Sequence, residues 1–377
     1  MLIGVVAESD PHETRVAASV ETVKKFIGLG ADVAVERGAG EGAGILDADY
    51  VEAGARLASA AEALGADIIL KVRRPSGAEI GQLKRGALVF ALMDPYGHLD
   101  AIEALAKSGA SAFAMELMPR ITRAQSMDVL SSQANLAGYR AVIDAGAEYG
   151  RAMPMMMTPA GTVPAAKAFV MGVGVAGLQA IATARRLGAI VTATDVRPAT
   201  KEQVESLGAK FIAVEDEEFK QAETAGGYAK EMSDAYKAKQ AALIASHIAK
   251  QDIVITTALI PGRPAPRLVT EAMVKSMRPG SVIVDLAVER GGNCELARAG
   301  EVVVTDNGVR IVGTSNVMRL AATTSALYAR NLYAFVETLI DKSAKAIAVN
   351  WDDELVKATC LTRDGAITNP NFQPKTA

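Results

Sequence analysis

Cysteine appears twice in 377 residues, histidine three times and tryptophan once. Cys294 and Cys360 fit neither a disulfide framework nor metal-ligand spacing, which favours a reducing compartment. His12, His98 and His247 are scattered, with no Cys/His/Asp cluster beside them, so no metal is expected. Basic residues form no block. The 40 Lys and Arg are dispersed among 43 Asp and Glu, for a net charge of −3, and this excludes a nucleic-acid or lipid footprint. No apolar run reaches the ~18 residues of a membrane span. The opening MLIGVVAESDPHETR lacks the basic and apolar regions of a secretory signal. The expectation is a soluble chain without direct membrane insertion, in which any membrane role needs a partner.

Aromatics are also scarce, at 5%, while half of the residues are hydrophobic. The core is therefore expected to come from Ala, Val, Ile, Leu and the 14 Met, small side chains that let helices lie close on parallel strands. The length suits two domains of moderate size. Strands are predicted at 2–7, 32–36, 67–72, 87–92 and 111–115, with helices such as 19–29 and 100–107 between them. A long helix is predicted at 126–150. The stretch MMMTPAGTVPAA then reads as an inter-domain connection, with the Met cluster 155–157 filling gaps at the junction. A second series follows, with strands at 168–171, 190–194, 211–214, 253–257 and 282–286. Its helices are predicted at 175–187, 199–207 and 234–249, and a long amphipathic helix at 317–340 is expected to cross back to the first domain. Strands alternating with helices imply βαβ units and parallel sheets.

The sharpest signal is FVMGVGVAGLQAIATARRLGAIVTATDV. Gly172, Gly174 and Gly177 form a G-x-G-x-x-G directly after an apolar strand and at the opening of a helix. The first glycine permits a tight turn, the second a close approach to a pyrophosphate, and the third close packing of helix on strand. The helix start at Val175 and Ala176 offers N–H groups and a partial positive charge to phosphates. Asp195 follows at the end of the next strand, where a carboxylate accepts from ribose hydroxyls and repels a 2′-phosphate, favouring NAD over NADP. Arg197, two positions on, is of the type that accommodates a 2′-phosphate. GAGEGAG at 38–44 has the wrong spacing for such a fingerprint and reads as a flexible loop after a strand.

Five further segments carry a resemblance: AMELMPRITRAQSMDVLSSQANLAGYRAV, PMMMTPAGTVPAAK, TKEQVESLGAKF, AETAGGYAKEM and TTALIPGRPAP. With them the chain resembles, nearly end to end, the soluble NAD(H)-binding alpha component of proton-translocating NAD(P) transhydrogenase. The resemblance implies an α/β fold of two Rossmann-like domains with parallel sheets, joined by long helices with a cleft between them. The domains would be 1–130 plus 317–377, and 131–316. It also implies that Arg120, Gln125 and Asp128 lie nearest the chemistry and, with Ser131, hold the nicotinamide and its ribose. The NAD(H) set would further include Val196, Tyr228, Ala258 and Leu259, with Tyr228 on a mobile loop, 215–232, that closes over the nucleotide. By composition alone, 120–131 is a solvated loop and helix start, with Asp128 near the first turn.

The activity implied is direct hydride transfer between NADH and NADP held by a partner domain, coupled to proton movement through membrane subunits. Such transfer needs two nicotinamides held close in a dry site, and few titrating groups. A homodimer, in the cytoplasm and bound to the inner membrane through its partners, is the assembly implied. Alanine dehydrogenase shares the fold and is the rival. Its substrate-binding arginine and lysine match Arg15 and Lys71, read either as remnants or as solvated charges, but its catalytic histidine falls on Asp94. His98 could substitute only with a rearranged loop, and His247 reads as structural.

Overall fold

Segments such as IILKVR, LVFAL and SAFA are buried along nearly their whole length, the pattern of parallel strands covered on both faces. The computed structural model describes residues 1–220, 232–260, 262–314 and 317–373. Its chain divides into one unit of Met1–Gln133 with Val317–Ala377, and a second of Ala134–Asn316.

In the first unit six strands are all parallel: β1 (Leu2–Val5), β2 (Asp32–Glu36), β3 (Arg56–Ala58), β4 (Ile68–Arg73), β5 (Leu88–Leu92) and β6 (Ser111–Ala114). Their order is β3-β2-β1-β4-β5-β6. The helix Val20–Gly28 starts where Ser19 Oγ accepts the Thr22 N–H, and it buries Val23 and Phe26. The region 317–340 is one helix, Ala321–Val336, between two 3₁₀ turns, Val317–Leu320 and Glu337–Leu339. It lays Tyr328, Leu332 and Phe335 into the sheet's core, where Phe335 meets the stacked pair Phe90–Phe113 edge-on. Another aromatic group, Phe211, Phe219 and Tyr236, packs in the second unit. The segment 38–44 is not a loose loop, because it forms a packed 3₁₀ turn, Glu41–Ala43. A Cβ on Gly40 would stand 2.6 Å from the Ile45 carbonyl, and one on Gly42 2.7 Å from that of Thr14.

The second unit opens on the later part of the helix Val129–Glu148 and then a hairpin, β7 (Met156–Thr158) and β8 (Gly161–Val163). This corrects the reading of MMMTPAGTVPAA as a gap-filling connection, since Met155 and Met157 are 61% and 80% exposed. Seven strands follow: β9 (Lys167–Met171), β10 (Ile190–Thr194), β11 (Lys210–Phe211), β12 (Ile253–Thr256), β13 (Val282–Asp285), β14 (Val302–Val304) and β15 (Arg310–Val312). They run in the order β11-β10-β9-β12-β13-β15-β14, parallel except for the edge strand β14. Among the described residues no helix is long and apolar enough to cross a membrane.

Candidate functional site

The register of three strands builds the site. Met171 of β9 pairs with Thr194 of β10 on one side and Thr256 of β12 on the other, so the three strands end level. Gly172, Asp195 and Thr257 therefore leave the sheet at one edge, at the point where strand order reverses. Open α/β sheets bind ligands in the crevice beyond that point.

Each glycine of the turn has its own physical reason. Gly172 has φ +100°, and a Cβ there would stand 2.6 Å from Thr257 Oγ1. The Thr257 hydroxyl donates to the Gly172 carbonyl at 3.0 Å and pins the turn. A Cβ on Gly177 would stand 1.9 Å from the same carbonyl oxygen, so the helix Val175–Arg186 lies on the strand with no room for a side chain. Gly174 is the opposite case. Its Cβ would meet nothing within 4 Å, and it caps the helix without a side chain. The first-turn N–H groups, those of Val175, Ala176 and Gly177 among them, have no intrahelical acceptor and face that opening with the positive end of the helix dipole.

Asp195 joins the turn to the next strand. Its Oδ2 accepts the Val173 N–H at 2.7 Å and its Oδ1 accepts the Arg197 N–H at 2.9 Å. The Arg197 guanidinium grips both oxygens, Nε to Oδ1 at 2.9 Å and Nη2 to Oδ2 at 3.0 Å. Val196 between them is exposed. Across the crevice, Ala258 is fixed by Asn293, which is fully buried. Asn293 Oδ1 accepts the Ala258 N–H at 3.0 Å, and its Nδ2 donates to the carbonyls of Ala258 and Pro266 at 2.9 and 2.8 Å. Leu259 is 54% exposed. Thr257, Asn293 and Gly138 are site-building residues that the sequence reading missed. A Cβ on Gly138 would stand 2.0 Å from the Ala176 carbonyl, so helix backbone touches helix backbone there. The available signals were a threonine closing an apolar strand, an asparagine behind Gly291-Gly292, and a glycine within a helical run.

The segment 120–131 belongs mostly to the 3₁₀ stretch Thr122–Met127 and the start of the following helix, all in the first unit. Asp128 caps that helix: Oδ1 accepts the Ser131 N–H at 2.9 Å and Oδ2 the Ser131 hydroxyl at 2.6 Å. Arg120 and Gln125 are exposed, and neither side chain has a hydrogen-bond partner among the described residues. Tyr228 lies outside the described residues, as does most of the predicted loop 215–232.

Arg15 and Lys71 are not solvated charges. Lys71 is fully buried and Arg15 nearly so, at the reversal point of the first sheet. Lys71 Nζ donates to Glu79 at 2.8 Å and to the Ala7 carbonyl at 3.1 Å, with Glu8 3.5 Å away. Arg15 forks onto Glu13, with Nε and Nη2 each at 2.7 Å, and donates to Gln133 at 2.8 Å. Arg73 Nε donates to Glu13 at 2.8 Å. Burial pushes the Glu8 carboxyl up to about 6, against the pull of Lys71 and of the Val72 and Arg73 N–H groups. Burial also acts on Glu13, but Arg15 and Arg73 outweigh it and hold that carboxyl below its ordinary value. Three carboxylates and three cations thus satisfy one another. Asp94 has φ +47°, and its carboxylate lies 3.4 Å from His98 Nε2. His247 packs edge-on against Phe169 and bonds Thr192 at 2.9 Å, and burial lowers its pKa, in keeping with a structural role.

The chain has relatives among known proteins. Residues 4–137 match the model of the alanine dehydrogenase/PNT N-terminal domain and residues 141–370 that of the C-terminal domain. The chain is 58% identical over 378 residues to the first of the alpha-subunit chains of NAD(P) transhydrogenase from Rhodospirillum rubrum, covering 98% of each. It is similar to the solved transhydrogenase of Sinorhizobium meliloti at 65% identity and a TM-score of 0.89, over 97% of this chain and 100% of that one. Similarity to alanine dehydrogenase of Halomonas elongata is lower, 32% over 98% of this chain and 95% of that protein.

Proposed function

The chain belongs to the alanine dehydrogenase/PNT family and, within it, to the NAD(P) transhydrogenase alpha subunits; from that premise we propose that it binds NAD(H) and exchanges hydride with NADP(H) held by a partner domain. The observation that carries the reading is the glycine turn at Gly172, Gly174 and Gly177. Two of its glycines are required by packing, while Gly174 alone opens onto space beside unsatisfied N–H groups. This fits a pyrophosphate, which needs backbone donors and a close approach.

The residues divide the work. Val175, Ala176 and Gly177 bind the diphosphate through main-chain N–H groups. Asp195 accepts from the adenosine ribose and disfavours a 2′-phosphate, which selects NAD(H). Ala258 and Leu259, held by Asn293, form the opposite wall. Arg120, Gln125, Asp128 and Ser131 orient the nicotinamide and its ribose, Arg120 and Gln125 with side chains that have no internal partner among the described residues. Bound NAD(H) supplies a hydride at C4 of the nicotinamide. The chain's task is to aim that carbon and exclude water, for which it needs no proton donor.

Proton movement belongs to membrane-spanning subunits in this reading, with the chain docked on the cytoplasmic side of the inner membrane and paired as a homodimer. The alanine dehydrogenase reading is weaker. Its cation pair is consumed by Glu8, Glu13 and Glu79, and Asp94 stands where it would need a histidine.

The test mixes purified chain with membranes stripped of their own peripheral subunit and follows reduction of an NAD⁺ analogue by NADPH. Activity only when both are present is the expected result. NADH consumption by the chain alone with pyruvate and ammonium would overturn it in favour of the dehydrogenase.

A further inference from the structure

We infer that Asn331, on the helix Ala321–Val336, is a positioning residue for the segment that presents Arg120 and Gln125. The inference rests on the function proposed above and assigns a role to a residue outside the expected site. Asn331 is 8% exposed, and both ends of its side-chain amide are used on that one segment. Its Nδ2 donates to the Ser126 carbonyl at 2.7 Å, and its Oδ1 accepts the Ser132 hydroxyl at 2.6 Å. Ser126 follows Gln125 directly, and Ser132 follows the Asp128–Ser131 cap. One amide therefore spans the residues that join the 3₁₀ stretch to the helix.

A buried amide with both ends satisfied is a stiff link, because moving either neighbour leaves a polar group without a partner. The segment is tethered at a second place. Arg123 donates to both Asp353 oxygens, at 2.9 and 2.7 Å, and also reaches Glu354 at 3.2 and 3.3 Å. That tether is exposed and screened by solvent, so Asn331 is the stronger of the two. The outward side chains of Arg120 and Gln125 make no internal bonds among the described residues, and their aim is set by the backbone that Asn331 grips from behind. Positional errors near 1 Å in such groups slow a reaction on the order of a hundredfold while leaving remote binding contacts intact.

The decisive variant is Asn331→Asp. It keeps the volume and the acceptor toward Ser132, loses the donor, and points an oxygen at the Ser126 carbonyl. Asn331→Ala and Ser132→Ala accompany it, the last removing only one side of the bridge. Each is assayed with the complete partner membranes for hydride transfer, for NADH affinity by fluorescence, and for hydrogen exchange of the 120–132 amides. The expected result for Asn331→Asp is transfer slowed roughly tenfold to a hundredfold, NADH affinity within about threefold, and faster exchange confined to 120–132. Ser132→Ala should show the same signature, smaller. Normal transfer with wild-type exchange overturns the inference, and so does a parallel loss of affinity and of protection throughout the first unit in all three variants. If the wild-type chain itself gives no transfer with active membranes, the functional reading fails instead, and exchange alone then decides the role of Asn331.

Discussion

Arg197 occupies both oxygens of Asp195. With the Val173 and Arg197 N–H groups added, all of the roughly four acceptor positions of that carboxylate are filled. A ribose can bond Asp195 only if the guanidinium gives way, and a guanidinium released there is a ready partner for a 2′-phosphate. In the proposed site, selectivity for NAD(H) is therefore assigned to the pair. Asp195→Asn should weaken NADH binding by about 10- to 100-fold and improve NADPH binding, because charge-assisted bonds contribute about 1.5–3 kcal/mol. Adding Arg197→Ala should remove the gain for NADPH. Equilibrium binding of both nucleotides checks this, and unchanged affinities would defeat the ribose role.

Gly138 has no space for a methyl group, since its Cβ would meet the Ala176 carbonyl at 2.0 Å. Gly138→Ala should lower stability by about 1–3 kcal/mol through overpacking. NADH binding should weaken with it, because the displaced carbonyl belongs to the first turn of the phosphate-facing helix. Urea unfolding and NADH titration on the same preparation measure both; an unaffected midpoint would mean that the helices separate easily at that point.

How far the fold could be read from the residues depended on the range of the forces involved. Strands β9, β10 and β12 announce themselves by local burial, and Gly172-x-Gly174-x-x-Gly177 with Asp195 is a local pattern, so that half of the site was legible. Asn293, Asn331 and Gly138 act across long sequence separations, and nothing near them in the chain marks their partners. Of the two readings open for Arg15 and Lys71, remnants or solvated charges, their burial removes the second, and for a related reason the sequence does not show it. A charged residue reads as solvated until the carboxylates that neutralise it are brought together, and Glu8, Glu13 and Glu79 meet those cations only through the sheet. The exposed hairpin at Met156–Val163 escaped because Pro and Gly signal a break equally well in a linker and in a turn.

The Gln125 side chain is exposed and makes no bond among the described residues, so replacing it should leave the fold unchanged. Gln125→Asn should slow hydride transfer by about tenfold or more while changing NADH affinity far less, since it shortens the reach of an orienting amide. Single-turnover kinetics with the membrane partner, alongside NADH titration, separate the two effects. Small and equal changes would return Gln125 to the ordinary solvated surface.

Glu8 should leave a signature in the pH dependence of stability. In the unfolded chain its carboxyl titrates near its ordinary value of 4.5, and in the folded protein near 6. Between those values the unfolded chain has released a proton that the folded state keeps. The Glu8 contribution to stability therefore falls as pH rises from about 4.5 to about 6, by about 2 kcal/mol. Glu13 works in the opposite sense, since its depressed value adds stability that is lost as pH falls. Comparing urea unfolding of the wild type and Glu8→Gln from about pH 4.5 to about pH 6.5 isolates the first effect. A difference that stays flat would place Glu8 at its ordinary value.

The division of the chain has a consequence for its synthesis. The second unit is one continuous stretch, whereas the first is completed only by residues beyond 316. On the ribosome, Phe90 and Phe113 wait for Phe335, Lys71 for the Tyr328 hydroxyl that binds its carbonyl, and Ala112 for the Leu361 N–H. The cover of the strands translated first is thus the last to be completed, the reverse of ordinary N-to-C domain folding. The part of their apolar surface that Tyr328, Leu332 and Phe335 cover stays open to water while the whole nucleotide-binding half is being made. In that interval a nascent chain is most exposed to aggregation, and a truncation within the helix Ala321–Val336 strands the beginning of the protein rather than its end.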